Sequence, residues 1–384
     1  MTAEVLHAGF DGLKFTVTTD IPPELRSDLA EAKAEAVRTS ADVVIERHGI
    51  AFAVRRSGGM GFSVHTGEYG AEWYFLDPEN RPANKPGVTV DFRAFLLATG
   101  GLQAARDHFE QCMVSFGIPY AETQLRVSRI DFAIDILAPW FEPDREAPVA
   151  PQGTQVTERT GSEDTETRGT GARVTGLRAG AVANRQLAIY DKRAEVIASG
   201  KRGWLAIWNH ARRRSGRQPL DLADADQSRV WRFELRMGSG KLRNRWEMRS
   251  WDDLDAMIGD AFAEFCQSMR YCIVSPDRNR SRWPVHELWQ IVTETVEREL
   301  ASMKSGVIPE DVRTTNRDEH KRMLEGQILG LMVSRAAAEG ITGAQAFEAF
   351  LRHQTAALKR LTRQHPIPTD ERLAKADFPN IFWS

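Results

Sequence analysis

The sequence predicts an α+β fold in which a mainly antiparallel sheet carries helices on one face and is followed by a helical C-terminal region. Up to about residue 250, short stretches alternate between apolar and polar residues and are separated by Gly, Asn and Pro, which is typical of antiparallel strands. Beyond that point, apolar residues recur at helical spacing instead. We therefore expect a sheet-based domain over residues 1–250 and a helical domain over 251–384.

The elements of the first domain follow from this alternation and from the turns between them. The stretch 12–19 alternates cleanly and predicts the first strand, and 21–37 predicts a turn that leads into a helix. A helical pattern covers 92–118, where the pair Gly100–Gly101 is a potential break. The strongest strand pattern of the chain is QLRVSRIDFAIDIL, at 124–137. Shorter strands are predicted at IAFAVRR, GFSVHTG, AEWYFLD, GVTVDFRAF, RVTGLRAG, NRQLAIYD and SRVWRFELRM.

Residues 142–172 differ in composition from the rest of the first domain. They are polar, rich in Gly, Pro and Thr, and nearly free of large apolar residues. Such a stretch cannot bury enough apolar surface to order itself, so we predict a flexible insertion within the sheet-based domain.

The overall composition restricts the function classes. The net charge of −2 over 384 residues gives no global basic field, so only local clustering can indicate nucleic acid binding. Cys112, Cys266 and Cys272 share no metal-like spacing and fit a reducing compartment. The N-terminus lacks a signal-peptide pattern, and no apolar run approaches the roughly 20 residues of a membrane span. We expect a cytoplasmic protein that does not enter a membrane.

Several predicted strands place charged residues on one face. Apolar side chains alternate with Arg129, Asp131 and Asp135 in one strand, and Tyr190 and Lys192 share the polar side of another. A third strand carries the pattern R-x-E-x-R at 232–236. Such a face is often simply solvated and crossed by salt bridges. Acids beside arginines in mid-strand can also bind a hard cation or a phosphate, and a tyrosine among them makes phosphodiester chemistry a coherent alternative.

The segments RVSRIDFAIDI, TGLRAG…NRQLAIYDKRAEV and RVWRFELRM resemble, in order and spacing, the replication initiation factor family. The stretches GFDGLKFTV and SPDRNRSRWP extend the resemblance over roughly 10–285. The family includes rolling-circle initiators of staphylococcal plasmids, related phage replication proteins and some relaxases of integrative elements. The resemblance implies a DNA strand-transferase that nicks one strand at an origin, stays joined to its 5′ phosphate through a tyrosine, and later rejoins the ends.

The resemblance also implies roles for individual residues. Tyr190, Lys192 and Glu195 match the family's Y-x-K-x-x-E segment, in which the tyrosine is the nucleophile. The guanidinium groups of Arg129 and Arg232 can hold phosphate and complete the predicted catalytic set. The nine histidines form no His–hydrophobic–His pair of the kind found in the other large class of rolling-circle initiators. A divalent metal, Mg²⁺ or Mn²⁺, is therefore expected on carboxylates. The ligand candidates are, in order, Asp131, Glu234, Asp135 and Glu195.

Each of these residues also has a structural alternative. Tyr190 can be a plain tyrosine at a strand end, Lys192 can be solvated, and Asp135 or Glu234 can be the partner of an arginine. Asp131 and Asp135 are four strand residues apart, about 13 Å, so one ion cannot be bound by both. Tyr271, in SMRYCIV, is the next candidate nucleophile, although its surroundings are typical of a helix face.

The stretch 201–249 is locally basic and carries Trp204, Trp208 and Trp246. Its basic residues can contact phosphates, and its tryptophans can either stack on unpaired bases or pack inward from an amphipathic helix. The stretch 278–283 can extend this basic surface. The candidate DNA-contacting residues are Arg212, Arg213, Arg214, Arg217, Lys241, Arg243 and Arg245.

These observations together favour rolling-circle replication initiation for a plasmid, a phage or an integrative element. The expected partners are origin DNA, single-stranded at the nick, and a host replicative helicase, with a homodimer left open. A conjugative relaxase of the same chemistry is an alternative that the sequence does not separate. A repressor-like DNA-binding protein without catalysis is a second alternative, against which Tyr190, Lys192 and Glu195 argue together. The lack of an aromatic pair on adjacent strands disfavours an RNA-binding module.

Overall fold

A computed structural model describes most of the chain and divides it into two compact units, Met1–Gly306 and Val307–Ser384. The described residues are 3–82, 85–151, 154–161, 173–303, 325, 328–364, 366 and 368–370. The first unit is built on one antiparallel sheet with helices packed on it, and the second consists of helices in its described part. This arrangement confirms the predicted α+β class.

Eleven strands of the described residues form the main sheet, in the order β2-β3-β4-β5-β6-β1-β7-β12-β11-β10-β9. Every neighbouring pair is antiparallel, and β8 and β13 form a separate two-stranded sheet. The strands are β1 Glu4–Val17, β2 Val43–Arg47, β3 Ile50–Val54, β4 Gly61–His65, β5 Ala71–Leu76, β6 Val88–Phe92, β7 Leu125–Leu137, β8 Pro148–Val149, β9 Val156–Gly161, β10 Arg173–Ala181, β11 Arg185–Asp191, β12 Val230–Gly238 and β13 Arg270–Tyr271.

The helices of the first unit connect these strands and cover the sheet. They are α1 Pro23–Thr39, α2 Ala94–Phe116, α3 Lys192–Ser199, α4 Gly203–Arg214, α5 Ala225–Ser228, α6 Ser239–Asn244, α7 Trp251–Ser268 and α8 Glu287–Glu299. At the predicted break in α2, Gly101 has φ 66° and interrupts the helical geometry. Glycine tolerates this left-handed φ because it has no Cβ.

The apolar face of the sheet and the helices packed on it, among them α2 and α7, form the core. The Phe15 ring of β1 lies 4.4 Å from the Trp251 ring of α7 and 6.3 Å from the Phe109 ring of α2, measured between centroids. Further along the same face, the rings of Phe132 and Phe262 are 5.7 Å apart. Burying each such side chain stabilises the fold by about 1.5–3 kcal/mol. The alternation seen in the sequence is therefore the pattern that forms this core.

The division between the two units differs from the predicted boundary at residue 250. Helices α7 and α8 belong to the unit Met1–Gly306. The reason is that α7 begins at Trp251 and packs its apolar side on the sheet. A helical pattern alone does not show whether a helix joins the preceding core or forms a new one.

The predicted flexible insertion at 142–172 is partly strand. Pro148–Val149 forms β8, and Val156–Gly161 forms β9, which pairs with β10 at the edge of the main sheet. Backbone pairing can order a stretch of low hydrophobicity because the hydrogen bonds of the ladder do not depend on apolar side chains. Residues 152–153 and 162–172 lie outside the described residues.

The second unit is helical in its described part, at 328–338 and at Ala344–Gln364. The rings of Phe347 and Phe350 stack at 6.2 Å in the latter helix. Across the described parts of both units, no helix has the length and apolar character that a membrane span requires.

Candidate functional site

The antiparallel register lines up the predicted site residues on the polar face of the sheet. Tyr190 of β11 pairs with Arg232 of β12, which pairs with Asp135 of β7. Two residues further along β12 lies Glu234, and Asp131 is paired with Arg236. Because side chains two residues apart in a strand share a face, these groups all lie on one side of three adjacent strands. The fold thus brings together residues that are far apart in the chain, 44 positions for Tyr190 and Glu234 and 97 for Asp135 and Arg232.

The half-buried Tyr190 is held by a carboxylate. Its hydroxyl donates a hydrogen bond to Glu234 Oε2 at 3.1 Å. Arg236 donates two bonds to the same carboxylate, from Nε at 2.7 Å and from Nη2 at 2.9 Å. Burial alone raises the pKa of Glu234, but the hydrogen bonds and charge of Arg236 outweigh it, and the pKa is lowered overall. Burial raises the pKa of Tyr190 well above its usual value. A protonated phenol therefore faces an ionised acceptor.

Beside this pair, Asp131 is bound by Arg129. The guanidinium donates from Nε at 3.0 Å and from Nη2 to the two carboxylate oxygens, and Arg129 Nη2 also lies 3.9 Å from Glu234 Oε1. Burial, opposed by Arg129 and reinforced by the charge of Glu234, raises the pKa of Asp131 to about 7. Gly12 of β1 makes room for this carboxylate, since a Cβ there would lie 2.6 Å from Asp131 Oδ2. The site thus contains one carboxylate that is ionised and a second that carries a proton part of the time at neutral pH.

Arg232 and Asp135 form a buried pair in the same row. Both side chains are 0% exposed, and Arg232 binds the carboxylate through Nε at 2.6 Å and Nη2 at 2.8 Å. Arg232 Nη1 also donates to Asp11 at 2.6 Å, and Trp208 Nε1 donates to Asp135 at 2.8 Å. The structure therefore places the predicted catalytic Arg232 and the predicted ligand Asp135 in a closed ion-pair network. This is the arrangement expected if Asp135 is the structural partner of an arginine and not a metal ligand.

Lys192 reaches the site by a route that differs from the expected continuation of β11. The strand ends at Asp191, whose side chain accepts a hydrogen bond from the backbone N–H of Ala194 at 2.9 Å and caps α3. Lys192 opens this helix and pairs with Glu195, one turn further on. Its Nζ lies 5.7 Å from the centroid of the Tyr190 ring, and burial lowers its pKa. Lys192 therefore lies next to both Tyr190 and Glu195, the other two residues of the Y-x-K-x-x-E segment.

The predicted metal ligands do not form an ion site in this arrangement. Each carboxylate is already engaged by a cation, Asp131 by Arg129, Glu234 by Arg236, Asp135 by Arg232, and Glu195 by Lys192. Within the described ranges, no group of three or more His, Cys, Asp or Glu side chains is placed to hold an ion. These donors fit a divalent ion only after giving up their guanidinium or ammonium partners. Mg²⁺ or Mn²⁺ stays a prediction.

The basic stretch 201–249 separates into buried and exposed parts. Trp204, Trp208 and Trp246 are buried, so they pack inward and do not offer faces to bases. Helix α4 thereby covers part of the polar face of the sheet, in addition to the helices on the apolar face. Two cations contact the Trp204 ring, Arg232 Cζ at 4.0 Å and Lys192 Nζ at 4.8 Å from its centroid.

The predicted DNA-contacting residues fall into three groups. Arg213, Arg214, Arg217 and Arg243 are exposed, although Arg217 also pairs with Glu4 at 2.7 Å. Arg212 is half-buried and binds the same carboxylate. Lys241 and Arg245 are half-buried around Glu264, at 3.9 and 2.5 Å, and burial together with Arg185 lowers the pKa of Lys241 to about 8. The exposed group is the one placed to meet a phosphate backbone.

Tyr271 lies in β13 and not on a helix face as expected. It is 1% exposed, and its hydroxyl accepts a hydrogen bond from the Asp144 backbone N–H at 2.7 Å. Burial raises its pKa to about 12. Its ring packs against Phe141, Phe233 and His286. These contacts are those of a core residue, so Tyr190 is the better placed of the two tyrosines.

Three groups in the site were missed by the sequence reasoning. Arg236 holds Glu234, Asp11 holds Arg232, and the neutral His7 lies beside Trp204 with its Nε2 buried and without a hydrogen-bond partner among the described residues. Burial lowers the pKa of His7 to about 4. The pattern R-x-E-x-R already contained Arg236. Nothing in the sequence distinguished Asp11 or His7, because both depend on contacts across the sheet.

No protein-family model matches the chain, and no curated protein matches its sequence. One solved structure to which the chain is similar is a rolling circle replication initiator protein from Geobacillus stearothermophilus. The two share 13% sequence identity with a TM-score of 0.38, over 77% of this chain and 97% of that chain. A TM-score of this size does not by itself establish a common fold or a common activity.

Proposed function

We propose that this chain is a rolling-circle replication initiator that nicks and rejoins one DNA strand through Tyr190. The observation that carries the proposal is the hydrogen bond from the Tyr190 hydroxyl to the ionised Glu234, on a polar face where Arg129 and Arg236 are partly exposed, at 32% and 15%. A nucleophile, a proton acceptor and two guanidinium groups are the parts that attack on a phosphodiester requires. The resemblance of the surrounding motifs to the replication initiation factor family supports rolling-circle initiation as the process that uses this chemistry.

In the nicking step, Tyr190 Oη attacks the scissile phosphorus and the bond from phosphorus to the 3′ oxygen breaks. Glu234 receives the phenolic proton, and the guanidinium groups of Arg129 and Arg236 stabilise the charge that develops on the phosphoryl oxygens. Asp131 donates a proton to the departing 3′ oxygen. The 5′ end is left joined to tyrosine, and the other product is a free 3′ hydroxyl.

Rejoining reverses these proton transfers. Asp131 takes the proton from an incoming 3′ hydroxyl, that oxygen attacks the phosphotyrosine, and Glu234 returns its proton to Tyr190. One phosphodiester is exchanged for another, so no ATP is consumed. The free 3′ hydroxyl primes synthesis while a host replicative helicase opens the duplex.

The opposed pKa shifts of the two carboxylates predict a pH dependence of nicking. Asp131, with a pKa of about 7, must be protonated to act as the acid. The nicking rate is therefore expected to fall as the pH rises through about 7, approaching tenfold per unit above about 8. A pH–rate profile under single-turnover conditions checks this. Asp131→Asn, which cannot titrate, should lose the alkaline fall and nick about 10²–10⁴ times more slowly at pH 6. An unchanged alkaline fall in this variant would assign the titration elsewhere.

The exposed arginines of α4 predict a change in salt dependence. Replacing Arg213 and Arg214 with alanine removes two phosphate contacts, so the slope of log K against log salt should decrease by about 1.4–1.8, with affinity lowered evenly across sequences. The slope is measured by fluorescence anisotropy at about 50–200 mM NaCl, a range over which proteins that contact phosphates lose affinity steeply. The matched control replaces Arg38 and Arg298, exposed at 73% and 63%. A slope that is unchanged in the α4 variant would remove this helix from the DNA-binding surface.

The test of the proposed function is a nicking assay with Mg²⁺ or Mn²⁺ present. The substrates are a library of labelled single-stranded oligonucleotides and the supercoiled DNA of the plasmid, phage or integrative element that carries the gene. Products are resolved before and after protease digestion. A 5′ end whose mobility changes on proteolysis supports covalent transfer to the protein. A site that is bound but never cut supports the repressor-like alternative. Cutting at a transfer origin in place of a replication origin supports a conjugative relaxase of the same chemistry.

A further inference from the structure

A cavity opens on the polar face of the sheet, and Trp204 forms part of its wall. It has a volume of about 230 Å³ and lies between β5, β6 and the beginnings of α2 and α4. At about 30 Å³ per water, it would hold roughly eight water molecules. It is smaller than a pocket for a drug-sized ligand, so it fits one ring system.

One wall of the cavity is aromatic. The rings of Phe95 and Trp204 are stacked at 5.4 Å with an interplanar angle of 29°. The exposed Tyr69 ring lies 5.8 Å beyond Phe95 at 31°, so three rings follow one another from the surface inward. The outer two rings, Tyr69 and the half-buried Phe95, offer faces on which an unpaired base can stack, whereas Trp204 is buried behind Phe95.

The polar groups of the cavity are mainly hydrogen-bond acceptors. The carboxylates of Glu68, Glu72 and Asp91 line it, against the cations of Arg93 and Lys201. Glu72 is held by Arg55 and Arg93, and Asp91 is held by Lys14 at 2.8 Å. The carboxylate oxygens of this lining can accept from a neutral ring that donates through an amino group, as cytosine N4 donates to Asp or Glu.

We propose that this cavity binds one unpaired, amino-bearing base of the DNA strand that Tyr190 cuts, an inference that rests on the proposed function for its substrate. Trp204 forms part of the cavity wall, and Lys192 Nζ lies 4.8 Å from the centroid of the Trp204 ring and 5.7 Å from that of the Tyr190 ring. The cavity and Tyr190 are therefore close enough for one single strand to reach both with a few nucleotides. The cavity would therefore fix where the strand is cut relative to a recognised base.

The test is an abasic scan with the full-length protein. A single-stranded oligonucleotide selected for binding, independently of cleavage, is made with one abasic residue at each position in turn, and the dissociation constant is measured by anisotropy. At one position, the loss of the base should weaken binding by at least about fivefold, and Phe95→Ala should abolish this difference. Replacing cytosine with uracil at the same position should weaken wild-type binding but not that of Asp91→Asn, which keeps the shape of the cavity.

The outcomes separate this inference from the proposed function. Suppose that no position shows a loss of binding affinity that depends on both Phe95 and Asp91. The cavity then does not bind a base, even where Tyr190-dependent nicking is intact. A penalty that depends on Phe95 and Asp91 supports the base site even where no nicking is found. Thermal unfolding of Phe95→Ala shows whether that variant is folded. The response of Asp91→Asn to the cytosine-to-uracil change tests the base site even if Phe95→Ala is unfolded.

Discussion

Replacing Tyr190 with phenylalanine is expected to abolish strand nicking, by at least about a thousandfold, while binding of the same DNA stays within about twofold. The change removes the single oxygen that would form the bond to phosphorus and leaves the ring in place. Glu234 loses the donor at 3.1 Å but keeps both bonds from Arg236, so the site retains its charge balance. Single-turnover cleavage of labelled DNA, with protein-linked 5′ ends counted before and after protease, measures the effect.

Two further variants make this result specific. Tyr271→Phe removes a buried phenolic oxygen, which accepts a hydrogen bond from the Asp144 backbone N–H, and this variant should nick like the wild type. Glu234→Gln keeps the volume but removes the proton acceptor, so we expect nicking to slow about 10²–10⁴-fold and the covalent product to form at the same residue. If Tyr190→Phe still becomes linked to DNA, the nucleophile is a different residue.

Replacing Arg232 with alanine is expected to lower the free energy of unfolding by about 3–5 kcal/mol. The variant leaves Asp135 fully buried without its guanidinium partner, with the Trp208 N–H as the remaining donor among the described residues, and it also removes the partner of Asp11. The guanidinium also contacts the Trp204 ring at 4.0 Å, so packing between α4 and the sheet is lost as well. Urea unfolding followed by circular dichroism gives the free energy, and tryptophan fluorescence follows the packing of α4.

The controls for this variant distinguish a stabilising pair from a catalytic arginine. Arg213→Ala, on the exposed side of α4, should change the free energy of unfolding by less than about 0.5 kcal/mol. The double variant Arg232→Met with Asp135→Leu removes both charges and should recover much of the lost stability. A stable Arg232→Ala protein that has lost only nicking would instead give Arg232 the catalytic role predicted from the sequence.

The sequence determined much of the fold and the composition of the polar face by itself. The period of two in 125–137 and 230–238 decides which side each residue takes, because successive side chains of a strand point in opposite directions. That rule places Arg129 with Asp131, and Glu234 with Arg236, without knowledge of the tertiary structure. The Y-x-K-x-x-E segment was also found from the sequence, although Lys192 reaches the site from a helix and not from a strand.

Only the tertiary structure decided which charges meet, which are buried and where the first unit ends. The spacing within a strand does not reveal its neighbours, and here β12 lies between β7 and β11, two strands that are about 50 residues apart in the chain. That order brings Tyr190 to Glu234 and encloses Arg232 with Asp135 beneath α4. Trp204 and Trp208 turn inward for the same reason, because α4 lies across the polar face. Contacts of this kind arise from pairings between distant segments, and a local pattern carries no record of them.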